Sequence, residues 1–330
     1  GGFIGEQLIV LGAVSSLGKT SFALQIAAQI AEQGQDVLVF SLEMSRNELQ
    51  AKTISRYTHT LTKKDKYRQK YRLTTRDILS GRVGDIVFDE PQDDKAKLFL
   101  EAFGAAERIA GKIHVFVGEN NIDVDAVKEK VKLHEKATNN RPFVILDYLQ
   151  ILQQSAGAMT SDKRLLTDYD VTSLKVLSRD LHIPILVISA FNRTSYLEPV
   201  SVGSFKESGG IEYSSDILLA MQYEGMDYQE VIRTDDKGKR KKVFESIQDH
   251  NIRVRKLFEQ MDEDGANGLP LPIELKILKN RNGSKGTLYF NFLPAYNYYE
   301  ESTKRYKSED EEDTETVKEA LENIHILGNY

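Results

Sequence analysis

Residues 6–34 read EQLIVLGAVSSLGKTSFALQIAAQIAEQG, and this stretch narrows the fold more than any other. Leu8–Leu11 is a short apolar run of the kind a strand needs when both of its faces are covered. A flexible loop follows from Ala13. From Lys19 the pattern is helical and apolar on most sides, with Gly34 placed as a C-terminal stop. Backbone N–H groups of a loop between strand and helix can surround phosphates, and the helix N-terminus adds positive potential. Ser15, Ser16, Leu17, Gly18, Lys19, Thr20 and Ser21 are therefore the candidate nucleotide-binding residues. Lys19 would reach the β- and γ-phosphates and Thr20 would ligate Mg²⁺. The usual pattern has Gly where Ala13 stands, and Ala fits there if its φ is negative. The competing reading is a chance Gly-Lys-Thr in an ordinary loop.

The rest of the chain repeats the alternation. DVLVFSLEMS is a second buried strand, and Ser45 with Glu48 forms a capping box for the next helix. Residues 57–112 read as mostly helical and polar. IHVFVG is a further strand, and Asp123 caps an amphipathic helix with Val124, Val127 and Val131 on one face. PFVILDYLQIL is a strand followed by a polar stretch from Gln153 to about Asp168. A helix around Val171, Leu174, Leu177 and Leu181 leads to the strand IPILVISA. A loop from Phe191 to Gly210 precedes the apolar run DILLAMQ. Strands alternating with helices predict an α/β fold, a mostly parallel sheet covered on both faces. LKILKNRNGSKGTLYFNF, with Asn282-Gly283 at its turn, predicts a C-terminal antiparallel hairpin. Residues 223–272 are polar and turn-rich and read as a surface insertion. The expected organisation is one domain over 1–299 and an acidic tail over 300–330, frayed or disordered.

Charge becomes informative once it is located. The chain carries a net −6, and residues 307–330 alone hold eight acids against Lys307 and Lys318. The body is thus neutral, with basic clusters at 52–82 and at KGKRKK, residues 237–242. Each cluster taken alone reads as a solvated face. There is no cysteine, hence no disulfide framework and no thiolate metal site. No apolar run reaches membrane-spanning length and no signal peptide pattern opens the chain, so a cytoplasmic location without membrane contact is expected. The sequence starts at Gly1-Gly2 without Met, almost at once in a strand, as expected of a fragment.

Two carboxylates follow buried strands. Asp147 ends FVILD, where a charge is costly without a partner. At the tip of a parallel strand it would share an edge with the phosphate loop and hold Mg²⁺ with Thr20. Glu43, in VFSLEM, has two readings that its spacing does not separate: a base aligning water for attack on a γ-phosphate, or a solvated residue leading into the next helix. In the hairpin, Lys279 and Arg281 sit two apart, so an extended strand points both to one side. A hairpin tip has no structural need of that pairing.

SSLGKTSFALQIA, VFSLEMS, VILDYLQIL, SAFNR, SFKESGGIEYSSDILL and LKNRNGSKGTLYFNF, in that order, resemble the ATPase domain of DnaB-type replicative DNA helicases, which have a RecA-like fold. The resemblance covers nearly the whole chain except 223–272 and the tail. It implies a ring-shaped homohexamer that hydrolyses ATP with Mg²⁺ and moves 5′ to 3′ along single-stranded DNA, with a primase and a helicase loader open as partners. It implies Glu43 as catalytic base, Asp147 as the Mg²⁺-side acid, and Lys279 and Arg281 as cations delivered to the ATP of the next subunit. FKESGG resembles the family's DNA-backbone loop. Lys206 would then neutralise a phosphate in place of a family Arg, Gly209 would offer a close N–H, and Glu207 would orient the loop. Loops at Gln153–Asp168 and Phe191–Gly210 leave the ATP edge and are the expected DNA contacts.

The sequence departs from the family at Ala190, where a γ-phosphate-sensing Gln is usual; Asn192 and Arg193 are the substitutes at hand. The family's N-terminal helical domain and linker are absent, so this chain alone is expected as a monomer or weak oligomer, and the ring when that domain is present. The variant motifs lean toward a phage or mobile-element branch. Two other functions stay open: a recombinase-like or regulatory RecA-fold ATPase, and a nucleotide-dependent interaction module that does not hydrolyse. A small-molecule kinase is less supported, because nothing resembles an acceptor lid.

Overall fold

The computed structural model describes residues 2–118, 122–153, 162–192, 195–206, 208–234 and 239–303. Six strands run parallel: β1 (Leu8–Ala13), β2 (Val37–Ser41), β3 (Ile113–Val117), β4 (Phe143–Asp147), β5 (Ile185–Ala190) and β6 (Ile217–Tyr223). After β6 come a small two-stranded sheet, β7 (Glu230–Thr234) with β8 (Arg240–Phe244), and then three antiparallel strands of the main sheet. These are β9 (Leu271–Asn280), β10 (Gly286–Leu293) and β11 (Tyr298–Ser302). The main sheet has nine strands in the order β11-β10-β9-β6-β1-β5-β4-β2-β3. Its central strands are buried on both faces, β1, β2 and β4 at every residue, which is why they read as unbroken apolar runs.

Helices cover both faces: α1 (Lys19–Glu32), α2 (Arg46–Thr62), α3 (Thr75–Leu79), α4 (Arg82–Asp89), α5 (Asp94–Ala110), α6 (Val124–Thr138), α7 (Lys163–Leu181), α8 (Ser208–Ser214) and α9 (Ile247–Ala266). The local signals hold. α1 starts at Lys19, and Gly34 lies just past its end at φ 87°. Ser45 and Glu48 close the capping box of α2. Asp123 accepts from Ala126 N–H at 2.7 Å, and Val124, Val127 and Val131 are buried.

Two sequence expectations are corrected. The polar stretch before Val171 is already helical from Lys163, because Asp162 caps α7 by accepting from Arg164 N–H at 2.8 Å. The segment from Phe191 to Gly210 contains a 3-10 turn at Val202–Ser204 and the first residues of α8, so it is not one continuous loop. Residues 223–272 carry the β7–β8 sheet and α9. Val254 and Met261 of α9 are buried in the main core. Tyr228 Oη donates to Glu198 at 3.0 Å, and His250 Nε2 pairs with the Leu197 carbonyl at 3.0 Å. β11 runs on through Ser302, and residues 304–330 lie outside the described residues.

Because the parallel strands point the same way, Ala13, Ser41, Asp147 and Ala190 end at one edge of the sheet. Register confirms it: Ala13 pairs with Ala190 and Ser41 with Asp147. Gly12 is part of this arrangement. A Cβ on it would meet the rings of Phe191 and Phe205 at 2.3 and 2.4 Å. Those rings pack edge to face, 5.0 Å between centroids, and seat the segment that follows β5. Gly12→Ala is therefore expected to overpack this spot and cost about 1–3 kcal/mol. Thermal melting checks it; an unchanged midpoint means the rings yield freely.

Candidate nucleotide site

The loop between β1 and α1 is shaped by two left-handed residues, Ser16 at φ 68° and Gly18 at φ 72°. Gly18 has a second reason to be glycine. A Cβ there would lie 2.5 Å from the Phe292 ring and 2.7 Å from Tyr299 Oη. Tyr299 Oη also donates to the Leu17 carbonyl, so the last strands of the sheet clamp the loop from outside. Leu17 itself is 1% exposed and contributes backbone only. Ala13 is not among the residues of positive φ, so it sits where the expected Gly would without strain.

Beside the loop lies a cavity of about 430 Å³, whose walls include Ser15, Ser16, Gly18, Lys19, Thr20, Ser21, Glu43 and Asp147. Thr20 Oγ1 donates to Asp147 Oδ2 at 2.6 Å. Lys19 Nζ donates to the carbonyls of Ala13 and Val14, each at 3.0 Å. Burial pulls the Lys19 ammonium below its ordinary value, opposed by the negative charges of Asp147 and Glu43. Burial pushes the Asp147 carboxyl up, opposed by the Thr20 hydrogen bond. A desolvated carboxylate beside a hydroxyl suits a hard divalent cation, which prefers oxygen ligands. Glu43 is exposed, in the bend between β2 and α2. Ser21 Oγ donates to Asn297 Oδ1 at 2.9 Å.

Two members of the site were not foreseen. Lys52, on α2, donates to Asn297 Oδ1 at 2.7 Å and lines the cavity; burial lowers its pKa. Nothing in the local pattern separates it from the other cations of 52–82. Asn297, left-handed at φ 52° and 4% exposed, arrives from the far end of the chain. A larger groove of about 860 Å³ lies between α1, α2 and the β9–β10 face. It is the bigger space, but Gly18, Lys19, Thr20 and Asp147 are not on its walls, so the smaller cavity is the chemical one.

Lys279 and Arg281 are elsewhere. Lys279 Nζ donates to the carbonyls of Glu212 and Ser215, and Arg281 donates to the Tyr213 carbonyl at 2.7 Å and to Asp216 Oδ1 at 3.2 Å. Both thus turn to the same side, toward the end of α8. Asp216 precedes β6 and accepts from the N–H of Leu8, the first residue of β1. This is the edge opposite to Ala13. The length of β1, six residues, separates the cations from their own phosphate loop by about 20 Å.

Lys206 is exposed, and its N–H donates to the Ala190 carbonyl at 3.1 Å, beside the cavity that Ala190 lines. Gly209 lies in the first turn of α8; a Cβ there would sit 3.4 Å from an Arg164 nitrogen. Glu207, Arg193 and residues 154–161 lie outside the described residues. The Asn192 amide donates to the carbonyls of Phe205 and Gly203, so it braces its own segment. Among the described residues no group of three or more His, Cys, Asp or Glu could hold a metal on its own. Among them no helix is long and apolar enough to cross a membrane.

A parallel sheet, a phosphate loop between β1 and α1, and an acid at the tip of a neighbouring strand define a RecA-like P-loop ATPase fold. The family description "DnaB-like helicase C terminal domain" matches residues 1–301, and the chain belongs to that family. It is 27% identical over 308 residues to the replicative DNA helicase DnaB of Helicobacter pylori (strain J99 / ATCC 700824), covering 91% of this chain and 57% of that protein. It is 25% identical over 311 residues to the DnaB of Geobacillus stearothermophilus, covering 92% and 54%. The chain therefore spans about half the length of these curated relatives. Among solved structures, an isolated ATPase domain superposes with a TM-score of 0.64 at 19% identity, covering 89% of this chain and 84% of that one. A DnaB-like replicative helicase, studied with its primase interactions, gives 0.64 at 20% identity, covering 90% and 59%.

Proposed function

We propose that this chain is the motor domain of a replicative DNA helicase, hydrolysing ATP at interfaces between copies of itself and moving 5′ to 3′ on single-stranded DNA. One observation carries the reading. Lys19, Thr20 and Asp147 are gathered at one edge of the sheet, while the paired cations Lys279 and Arg281 stand at the other. Each half is incomplete for phosphoryl transfer, and a head-to-tail ring of copies brings one half against the other.

Lys19 and the loop N–H groups hold the β- and γ-phosphates in place. Thr20 and Asp147 would hold Mg²⁺, which neutralises charge on the phosphate oxygens. Glu43, exposed on the cavity wall, orients and deprotonates the attacking water. Lys279 and Arg281 of the next copy supply positive charge to the γ-phosphate oxygens as charge gathers there. In the present chain both lean on α8 carbonyls, contacts that an incoming triphosphate can replace. Lys206, Glu207 and Gly209 form the DNA-backbone contact, with Lys206 as a point charge. A primase and a loader are the further partners proposed for the whole protein.

The deciding experiment is ATP turnover with and without single-stranded DNA, followed by strand displacement on a forked duplex. DNA-stimulated turnover with displacement supports the motor. Stimulation without displacement supports a recombinase-like ATPase, and no turnover in either condition supports a binding module. Lys206→Ala is expected to weaken DNA binding about equally for all sequences and to lower the salt slope by about one phosphate. Binding titrations across salt concentrations check it; a loss confined to one sequence counts against a backbone contact.

A further inference from the structure

The ladder between β4 and β5 stops early. Its last pair is Leu146 with Val187, although β4 continues to Asp147 and β5 to Ala190. Past that pair the two strands separate, and a buried strand end there must find other partners for its backbone groups. Gln150 supplies one. It follows Asp147 by three residues, in the 3-10 turn Leu149–Ile151, which the 2%-exposed Leu149 anchors in the core. Its Nε2 donates to Ser189 Oγ at 2.8 Å, and its Oε1 accepts from the Ala190 N–H at 3.1 Å. The other backbone group of Ala190, its carbonyl, accepts from the Lys206 N–H at 3.1 Å. Phe191 and Phe205 form a bridge next to it, and Asn192 N–H donates to the Ser204 carbonyl at 2.8 Å.

A continuous path results. It runs from Asp147, bonded to Thr20 in the phosphate loop, through the turn to Gln150, across to Ala190 and on to Lys206. Ala190 lines the nucleotide cavity but offers no polar side chain of its own. The junction between the Asp147 segment and the Lys206 segment therefore rests on the Gln150 amide.

We propose that Gln150 is a positioning residue that couples the nucleotide site to the DNA-contacting segment, by fixing the end of β5 to the turn that follows Asp147. It touches neither nucleotide nor DNA. A shift of Asp147 when the γ-phosphate is lost moves the turn, and the Gln150 amide carries that movement to Ala190 and so to Lys206. A side-chain amide suits this role because it holds a donor and an acceptor in one rigid plane, here used toward adjacent residues of one strand. Energetic coupling needs such a contiguous, specifically bonded element between the sites. The inference rests on the proposed motor function.

The test uses the whole chain in two variants, Gln150→Ala and Gln150→Glu. The second keeps an acceptor for the Ala190 N–H and loses the amide donor. The decisive readout is a ratio: affinity for single-stranded DNA with a non-hydrolysable ATP analogue divided by affinity without it, alongside the DNA stimulation of ATP turnover. For Gln150→Ala, analogue affinity and DNA-free turnover are expected within about threefold of the starting protein, while both ratios fall to about one. Gln150→Glu is expected to retain part of both. A role confined to stability would shift the melting midpoint and leave the ratios alone, and that result overturns the proposal. So does loss of DNA-free turnover in both variants with the ratios intact. If the unmodified chain hydrolyses ATP at a rate indifferent to DNA, the motor reading fails, and this inference with it. Coupling intact in the unmodified chain and undiminished in Gln150→Ala removes the inference alone.

Discussion

Lys19→Ala protein is expected to lose ATP turnover by about 10²–10³-fold or more, the scale of removing one preorganised group that meets developing charge. Lys19 lies within the loop, and its ammonium faces the negative charges of Asp147 and Glu43. In this structure it donates to two loop carbonyls, Ala13 and Val14. Those contacts are easily replaced by water, so the fold should survive the substitution, with its melting midpoint nearly unchanged. A phosphate offers the ammonium a stronger, charge-assisted partner at the same place. Alanine removes that partner and leaves Asp147 with less positive charge nearby, so binding and turnover should fail together. Turnover is checked by steady-state phosphate release and binding by titration with a fluorescent nucleotide. Turnover at the starting rate would remove the loop from the active site altogether.

Arg281→Ala is expected to act differently. Nucleotide affinity should stay close to that of the starting protein, while hydrolysis falls about 10³-fold, the lower end of what an arginine supplied across an interface contributes. The guanidinium lies at the sheet edge opposite its own phosphate loop, so its loss cannot disturb that loop directly. Asp216 keeps Lys175 at 2.7 Å and the Leu8 N–H at 2.8 Å, so the fold remains held without Arg281. Arg281→Lys keeps the charge and loses the fork, and should recover only part of the rate. Mixing Arg281→Ala with Lys19→Ala protein gives the sharper version. A pocket with its own Lys19 can then face a neighbour with an intact Arg281. Equal mixing makes such interfaces about a quarter of the total in a randomly assembled ring. Activity should rise above either parent and peak near equal proportions. A flat mixing curve at every ratio would argue that each chain completes its own site.

How much of this was legible in the sequence depended on the range of the interactions involved. The strand, phosphate loop and α1 were readable because their signal is local: apolar residues for a doubly covered strand, Gly18 at a left-handed helix cap, Gly34 past the helix end. Asp147 was readable because a charge ending a buried strand must have a partner, and Thr20 is that partner. The hairpin was readable from Asn282-Gly283 between alternating strands. The early start of α7 was missed because its apolar face begins late, although Asp162 was there as a cap. α8 was missed because Ser208-Gly209-Gly210 has the chemistry of a turn; Asp168 accepting from Gly210 N–H at 2.9 Å helps hold it as helix. Lys52, Asn297 and Gln150 entered the account only through contacts between distant parts of the chain, which no local pattern announces. The position of Lys279 and Arg281 was half legible: that they share a side could be read, but that they stand opposite their own Lys19 required the sheet order.

The most direct test is a structure of the assembly formed with Mg²⁺ and a non-hydrolysable ATP analogue. The predicted result places the Arg281 guanidinium of one copy at about 3 Å from a γ-phosphate oxygen held by Lys19 and Thr20 of the next. An assembly in which the 279–281 tip stands away from every triphosphate, with ATP turnover per chain unchanged on dilution, would contradict it.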